Sequence, residues 1–195
     1  MMNLNALKVD PEFQGKIPPL TFEELNQLEA NILRDGRIIN PIIVWEGLIV
    51  DGHNRFIIAK KHPEIPYTVH ETEFANRYEA IIWICKNQLG RRNLSPEQKR
   101  YLLGKQYESE KKAEKIFHGN QYTLAKKSGG SHDDTHHSGK KTCNRIAEEN
   151  GVSRASVLRA RHYTKGVDIA DTDIPSPRKT AILFNRMTSS SENTL

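Results

Sequence analysis

Cysteine is scarce in this chain: 195 residues hold two, Cys85 and Cys143, and they form no CxxC pair. A zinc ribbon and a disulfide scaffold are thereby excluded, and a reducing compartment is expected. Aromatic residues make up 7% and hydrophobic residues 36%, which is low for one compact globule, so part of the length is expected outside a core. No apolar run approaches the roughly 20 residues that span a bilayer. Residues 1–10 lack the apolar block of a secretory leader. There is no internal repeat. A cytoplasmic protein of one or two small domains, with no membrane partner, is the expectation.

Charge is present but unevenly placed. Residues 1–117 carry 17 basic and 16 acidic side chains, whereas residues 118–195 carry 12 and 8. Within 140–165 there are seven bases (Lys140, Lys141, Arg145, Arg154, Arg159, Arg161, Lys165) against Glu148 and Glu149. A second dense stretch, 86–105, has six bases and only Glu97. Either stretch can neutralise several phosphates, with an affinity that falls steeply with salt. The alternative for 86–105 is a solvated helix face.

Periodicity and turn residues order the rest. Residues 21–35 predict a helix with a capping box at Thr21 and Glu24, an apolar stripe of Phe22, Leu25, Leu28, Ile32 and Leu33, and Gly36 as its stop. Residues 38–45 and 48–50 predict a hairpin about Glu46-Gly47, followed by a short helix at 55–61 and a strand at 65–71. A helical face recurs over 76–89, and Ser95-Pro96 opens a long polar helix to residue 117. From 118 to 140 the pattern collapses into Gly, Ser, His and Lys, which reads as a flexible linker. The tail, 167–195, reads as partly disordered, with one weak apolar patch at 181–187.

Residues 141–166 have the spacing of a helix-turn-helix. Ala147 is small where two helices cross, Gly151 suits the turn four positions on, Val152 anchors it and Ser153 caps the second helix. Ile146, Val157 and Ala160 or Leu158 supply a core. The second helix then displays Arg154, Ser156, Arg159 and Arg161. Arginine in a major groove reads guanine or holds phosphate. Arg154 and Arg159 are assigned to bases, Ser153 and Arg161 to phosphates, with Arg145 as a further contact. An αα-corner with a solvated basic face is the plain alternative.

Val50-Asp51-Gly52-His53-Asn54-Arg55 joins an apolar strand to a helix. Glycine permits a sharp turn, the helix start offers amides, and Arg55 reaches the same place, which is the composition of a phosphate site. Asp51 and Asn54 serving only as caps is the alternative.

Three stretches resemble the sequence boxes of the ParB N-terminal domain: Ile39-Asn-Pro-Ile-Ile-Val44, Ile49-Val-Asp-Gly-His-Asn-Arg-Phe-Ile-Ile-Ala59 and Asn87-Gln-Leu-Gly-Arg-Arg-Asn-Leu-Ser-Pro96. The resemblance covers about residues 4–117, and the order of a ParB-like domain before a helix-turn-helix is the family's order. It implies an α+β fold shared with sulfiredoxin over residues 1–95, a connecting helix at 96–117, and an all-α helix-turn-helix segment at 141–166. It also implies a nucleoside triphosphate pocket, with CTP as the ligand in partition proteins. That pocket falls on Gly52, His53, Asn54 and Arg55, with Asn87, Gln88 and Arg91 from the third box. Asn54 stands where the family has a further arginine. Asn87 and Gln88 stand where a Glu-Asn pair serves Mg²⁺ and hydrolysis, and neither is a carboxylate. His53 occupies the place of sulfiredoxin's nucleophilic cysteine, which excludes that reaction.

The expected function is DNA binding in plasmid or phage partition, replication control or transcriptional regulation in a bacterial cell, at the nucleoid or a plasmid. Gating by CTP and a homodimer are part of it, since one such motif reads a half-site of roughly 3–5 base pairs. The enzymatic alternatives are CTP hydrolysis and a metal-dependent nuclease built on Asp51, His53 and Asn54. His132, Asp133, Asp134, His136 and His137 form a cluster suited to adventitious metal, without the supporting shell of a built site. Cys85, Cys143, Trp45 and Trp83 are expected to be structural.

Overall fold

The computed structural model describes the backbone of residues 4–91, 93–122 and 135–170, and all of their side chains except 118–122, 135–140, 169 and 170. The described residues form two compact units, one within Met1–Phe74 and one within Ala75–Thr172.

The first unit is a small mixed domain. Asp10 opens α1 (Pro11–Gln14) by accepting from the Glu12 and Phe13 amides at 2.9 and 3.1 Å. In α2 (Phe22–Asp35) the capping box forms as its residues predict: the Glu24 amide donates to Thr21 Oγ1 at 3.2 Å and the Thr21 amide to Glu24 Oε2 at 2.8 Å. Leu25, Leu28 and Ile32 meet the core. Phe22 and Leu33, assigned to the same stripe, are exposed; both lie about a quarter turn from the buried line on a 3.6-residue helix. Thr21→Ala removes half of the box. In a Trp83→Phe chain, the urea transition followed at Trp45 is expected to lose about 1 kcal/mol.

Four strands form one sheet in the order β1-β3-β2-β4, with β1 at Lys8–Val9, β2 at Ile42–Trp45, β3 at Leu48–Asp51 and β4 at Val69–Glu71. β2 and β3 are an antiparallel hairpin whose two turn residues, Glu46 (φ 48°) and Gly47 (φ 75°), are both left-handed, as a tight hairpin of this twist requires. β1 runs parallel to β3, and β4 parallel to β2. The strands are shorter than their apolar runs: Ile38 instead donates its amide to the Pro66 carbonyl at 2.9 Å, outside the ladder. α3 (His53–Lys61) follows β3 directly. Leu7, Ile42, Val44, Ile49 and Phe56 form one core cluster, and Ile32, Ile38, Ile58, Ala59 and Ile65 another. Trp45 sits between Phe13 and Phe74 at centroid distances of 6.3 and 6.2 Å, a packing role.

The second unit is helical: α4 (Arg77–Leu89), α5 (Pro96–Tyr122), α6 (Thr135–Glu149) and α7 (Arg154–Ala170). α5 is its central helix, packed by the other three. The stretch expected to be a polar connector buries Leu102, Leu103, Gln106, Tyr107 and Glu110. A connector has no such face; here polar side chains are paired inside the bundle. α4 joins this unit because Leu89 packs on the cluster of Leu103, Tyr107, Cys143, Ile146, Ala147, Val157 and Ala160. Cys85 and Cys143 are both buried, and neither is in a disulfide. α5 and α7 cross at Gly104, where an added Cβ would lie 2.1 Å from Thr164 Oγ1 and 2.4 Å from the Ala160 carbonyl oxygen. Of the expected linker, 118–122 and 135–140 continue helices, and 123–134 lies outside the described residues, as does the tail from 171. No helix among the described residues is long and apolar enough to cross a membrane.

Candidate nucleotide and nucleic-acid interfaces

In the first unit, β3 ends at Asp51 and α3 begins after Gly52, whose φ of 92° is the left-handed region that glycine enters without a Cβ penalty. Among the described residues no side chain caps α3, and its first turn holds no acid. Arg55 folds back over this start: a Cβ on Gly52 would lie 2.9 Å from Arg55 Nη2 and 3.1 Å from Nε. Nη2 donates to Asp51 Oδ2 at 2.9 Å and to the Pro41 carbonyl at 3.0 Å, and the two charged side chains are 21% and 17% exposed. His53 is 5% exposed. Burial pushes its pKa down to about 4; Arg55 adds to this, while Asp51 and Asp10 oppose it. Neither ring nitrogen of His53, nor Arg55 Nε, has a hydrogen-bond partner among the described residues. Asn54 is half-buried beside them.

The remaining nucleotide candidates lie in the second unit, at the end of α4. Asn87 and Arg91 are exposed, and Gln88 is buried with its Oε1 unpartnered. Gly52 to Arg55 are thus brought together at one helix start, and Asn87, Gln88 and Arg91 at another place in the chain.

α6 and α7 are successive helices joined by a tight turn. The Val152 amide donates to the Ala147 carbonyl at 2.9 Å and the Gly151 amide to Glu148 at 3.2 Å, a Schellman closure with Gly151 left-handed at φ 62°. Ser153 accepts from the Ser156 amide at 3.1 Å and so caps α7. Val157, Ala160 and Thr164 face inward, leaving Arg154, Arg159, His162 and Lys165 exposed. The Arg159 guanidinium reaches Ser156 Oγ at 3.3 Å. Arg161 lies over the Tyr107 ring at 5.7 Å. Arg145 pairs with Glu110 and with Glu149, the latter at 2.6 Å, and Lys86 reaches Glu149 at 3.1 Å. Gln106 Nε2 donates to Glu110 and Glu149 at 3.1 and 3.2 Å. Burial pushes the Glu110 carboxyl up, with Gln106 and Arg145 pulling against it. Arg145 and Arg161 are therefore held by the bundle, whereas Arg154 and Arg159 point outward.

The solved structures that resemble the chain include the following two. Both are of a pNOB8-like ParB N-domain. One, in its C2221 form, superposes with a TM-score of 0.58 at 20% identity, covering 81% of this chain and 67% of that one. The other gives 0.55 at 20% identity, covering 82% and 62%. The fold is that of a ParB N-domain. No family model matches the sequence, and no curated protein is close enough to count as a relative. The α+β class expected from the sequence is thus the observed one.

On this ParB-type fold, the start of α3 fits the phosphate part of a nucleotide in its donor chemistry: a glycine without a Cβ lets the Arg55 guanidinium lie over the helix start, and His53 and Arg55 Nε have no hydrogen-bond partner among the described residues. The fit to Mg²⁺ is poor. No group of three or more His, Cys, Asp or Glu among the described residues could hold a metal, and Asp51 is engaged by Arg55. His132, Asp133 and Asp134, with the side chains of His136 and His137, lie outside the described residues. Sequence reasoning missed the Pro41 carbonyl, which has no side-chain signal. It also left Lys165, counted in the basic stretch, without a contact role, although Lys165 falls three residues after His162 and eleven, about three turns, after Arg154 on the open face of α7.

Proposed function

We propose that this chain is a ParB-like DNA-binding protein acting in plasmid or phage partition, replication control or transcriptional regulation, with CTP as its gating ligand. The observation that carries the reading is the solvent face of α7, where Arg154, Arg159 and Lys165 project from a helix whose opposite side is packed. Asp168, on the same helix, is engaged by Lys105. In this reading α7 enters the major groove; Arg154 and Arg159 contact base edges, while Ser153, Ser156, Arg161 and Lys165 lie along the phosphates. Arg145, paired with two carboxylates, contributes by fixing α6 and reaches phosphate only at its edge. A homodimer supplies the second half-site. His53, Arg55 and the amides after Gly52 would hold the triphosphate, with Asn54 as a further contact. The nucleotide supplies the anionic charge that these donors lack.

Fluorescence anisotropy against an operator library at two salt concentrations tests the DNA reading. Arg154→Ala with Arg159→Ala is expected to weaken selected sites roughly thirtyfold and to relax sequence preference, whereas Lys165→Ala weakens all sites alike and flattens the salt dependence by about one phosphate's worth. Wild-type binding that is indifferent to both sequence and salt ends the proposal. Phosphate release stimulated by DNA would instead point to CTP hydrolysis.

A further inference from the structure

We propose that Asp51 is a built-in competitor for the anion site at the start of α3: with the Pro41 carbonyl it latches the Arg55 guanidinium over Gly52, and an incoming phosphate group must displace it. This rests on the nucleotide reading above and concerns how that same site is regulated.

A helix start carries partial positive charge, so a guanidinium laid across it is a cation at the unfavourable end. Arg55 nevertheless lies there, within 3.1 Å of where a Gly52 Cβ would be. The bonds from Nη2 to Asp51 at 2.9 Å and to Pro41 at 3.0 Å are what hold it. Asp51 immediately precedes Gly52, so its carboxylate is the anion nearest in sequence to this start, in a helix whose first turn has no acid of its own.

The latch satisfies the site incompletely. Five buried side-chain polar atoms among the described residues lack a hydrogen-bond partner, and three of them are here: both ring nitrogens of His53 and Arg55 Nε. Each unmet buried group leaves a desolvation cost that a new partner can relieve. A phosphate has several acceptor oxygens. It can take the Nε–H, a ring N–H and the helix amides together, which the present pairing does not. The same guanidinium thus has two anionic partners, one always present and one supplied from outside, and the Asp51 carboxylate sets the threshold that the second must exceed.

Isothermal titration of the full chain with inorganic tripolyphosphate and, separately, with CTP tests this. Asp51→Asn is expected to tighten both ligands about tenfold, the size of one charge-assisted contact. Asp51→Ser, equally neutral, takes its place if circular dichroism shows that Asp51→Asn has not folded. In an Arg55→Ala background the gain is expected to vanish. A gain that survives there is general charge repulsion and overturns the latch. Unchanged or weaker binding in the neutral variants overturns it too; if the wild type then still prefers CTP to tripolyphosphate, the nucleotide reading stands alone. A tenfold gain for both ligands with no preference for CTP leaves the latch and ends the nucleotide reading.

Discussion

Gly104→Ala lowers the stability of the helical unit by about 3 kcal/mol. The sign is the informative part, because alanine in a helix interior is ordinarily better than glycine by about 1 kcal/mol. Here the added methyl would lie 2.1 Å from Thr164 Oγ1, 2.4 Å from the Ala160 carbonyl oxygen and 2.8 Å from its carbon. Two of those atoms are backbone and cannot rotate away, so α5 and α7 must separate. Separation loosens the cluster of Leu103, Tyr107, Val157 and Ala160 and lengthens the 3.0 Å bond from the Thr164 hydroxyl to the Tyr101 carbonyl. Urea unfolding followed by helical circular dichroism reads the loss. Adding Thr164→Ala removes the nearest contact but not the backbone ones, so only part of the stability should return. A Gly104→Ala chain as stable as the parent would show that the helices do not meet at this point. Since α7 is also the proposed reading helix, DNA affinity should fall with the same substitution.

The first unit loses about 3 kcal/mol of stability through His53 as pH falls from 6.5 towards 4. Burial holds this imidazole neutral, with a folded-state pKa of about 4 against an ordinary 6.5. Between those values the unfolded chain binds a proton that the folded chain refuses. The contribution is therefore whole above pH 6.5, declines as pH falls, and levels off once the folded state is also protonated, below about 4. His53→Leu removes the titration. Its ring has no hydrogen-bond partner to forfeit among the described residues, so the variant should match the parent or exceed it at neutral pH and surpass it increasingly towards pH 4. Urea midpoints at several pH values in a Trp83→Phe chain measure the difference, and carboxylates common to both proteins cancel. Parallel pH profiles would show that His53 titrates as it does in water.

Much of the architecture was legible before any coordinates, and each legible element has a short-range cause. Thr21 and Glu24 are three residues apart and close their own capping box. Glu46 and Gly47 make the hairpin turn between two β-branched runs. Ser95 and Gln98 cap α5 reciprocally, at 3.2 and 2.9 Å. The Gly151 turn, with Ala147 before it and Ser153 after it, closes by bonds spanning three to five residues. The two-residue strand β1 was not legible, because so short a segment has no period to detect. Nor was α1 read: Asp10 and Pro11 cap it in the structure, but four residues show no apolar period.

By itself the sequence determined the order of the elements, their caps and turns, the basic character of α7 and the glycine at the start of α3, since all of these follow from backbone preferences and from neighbours within one or two turns. Tertiary structure alone decided which charges remain available. Arg145 meets Glu110 from 35 positions away, Arg161 meets Tyr107 across α5, and Arg55 reaches the Pro41 carbonyl 14 positions back. It also decided that α5 is the centre of a bundle, and that Gly104 is needed for a close crossing with Ala160 and Thr164. The physical reason is that pairing and packing depend on which distant groups the folded chain sets within a few ångströms of each other, and no local period or propensity encodes that distance.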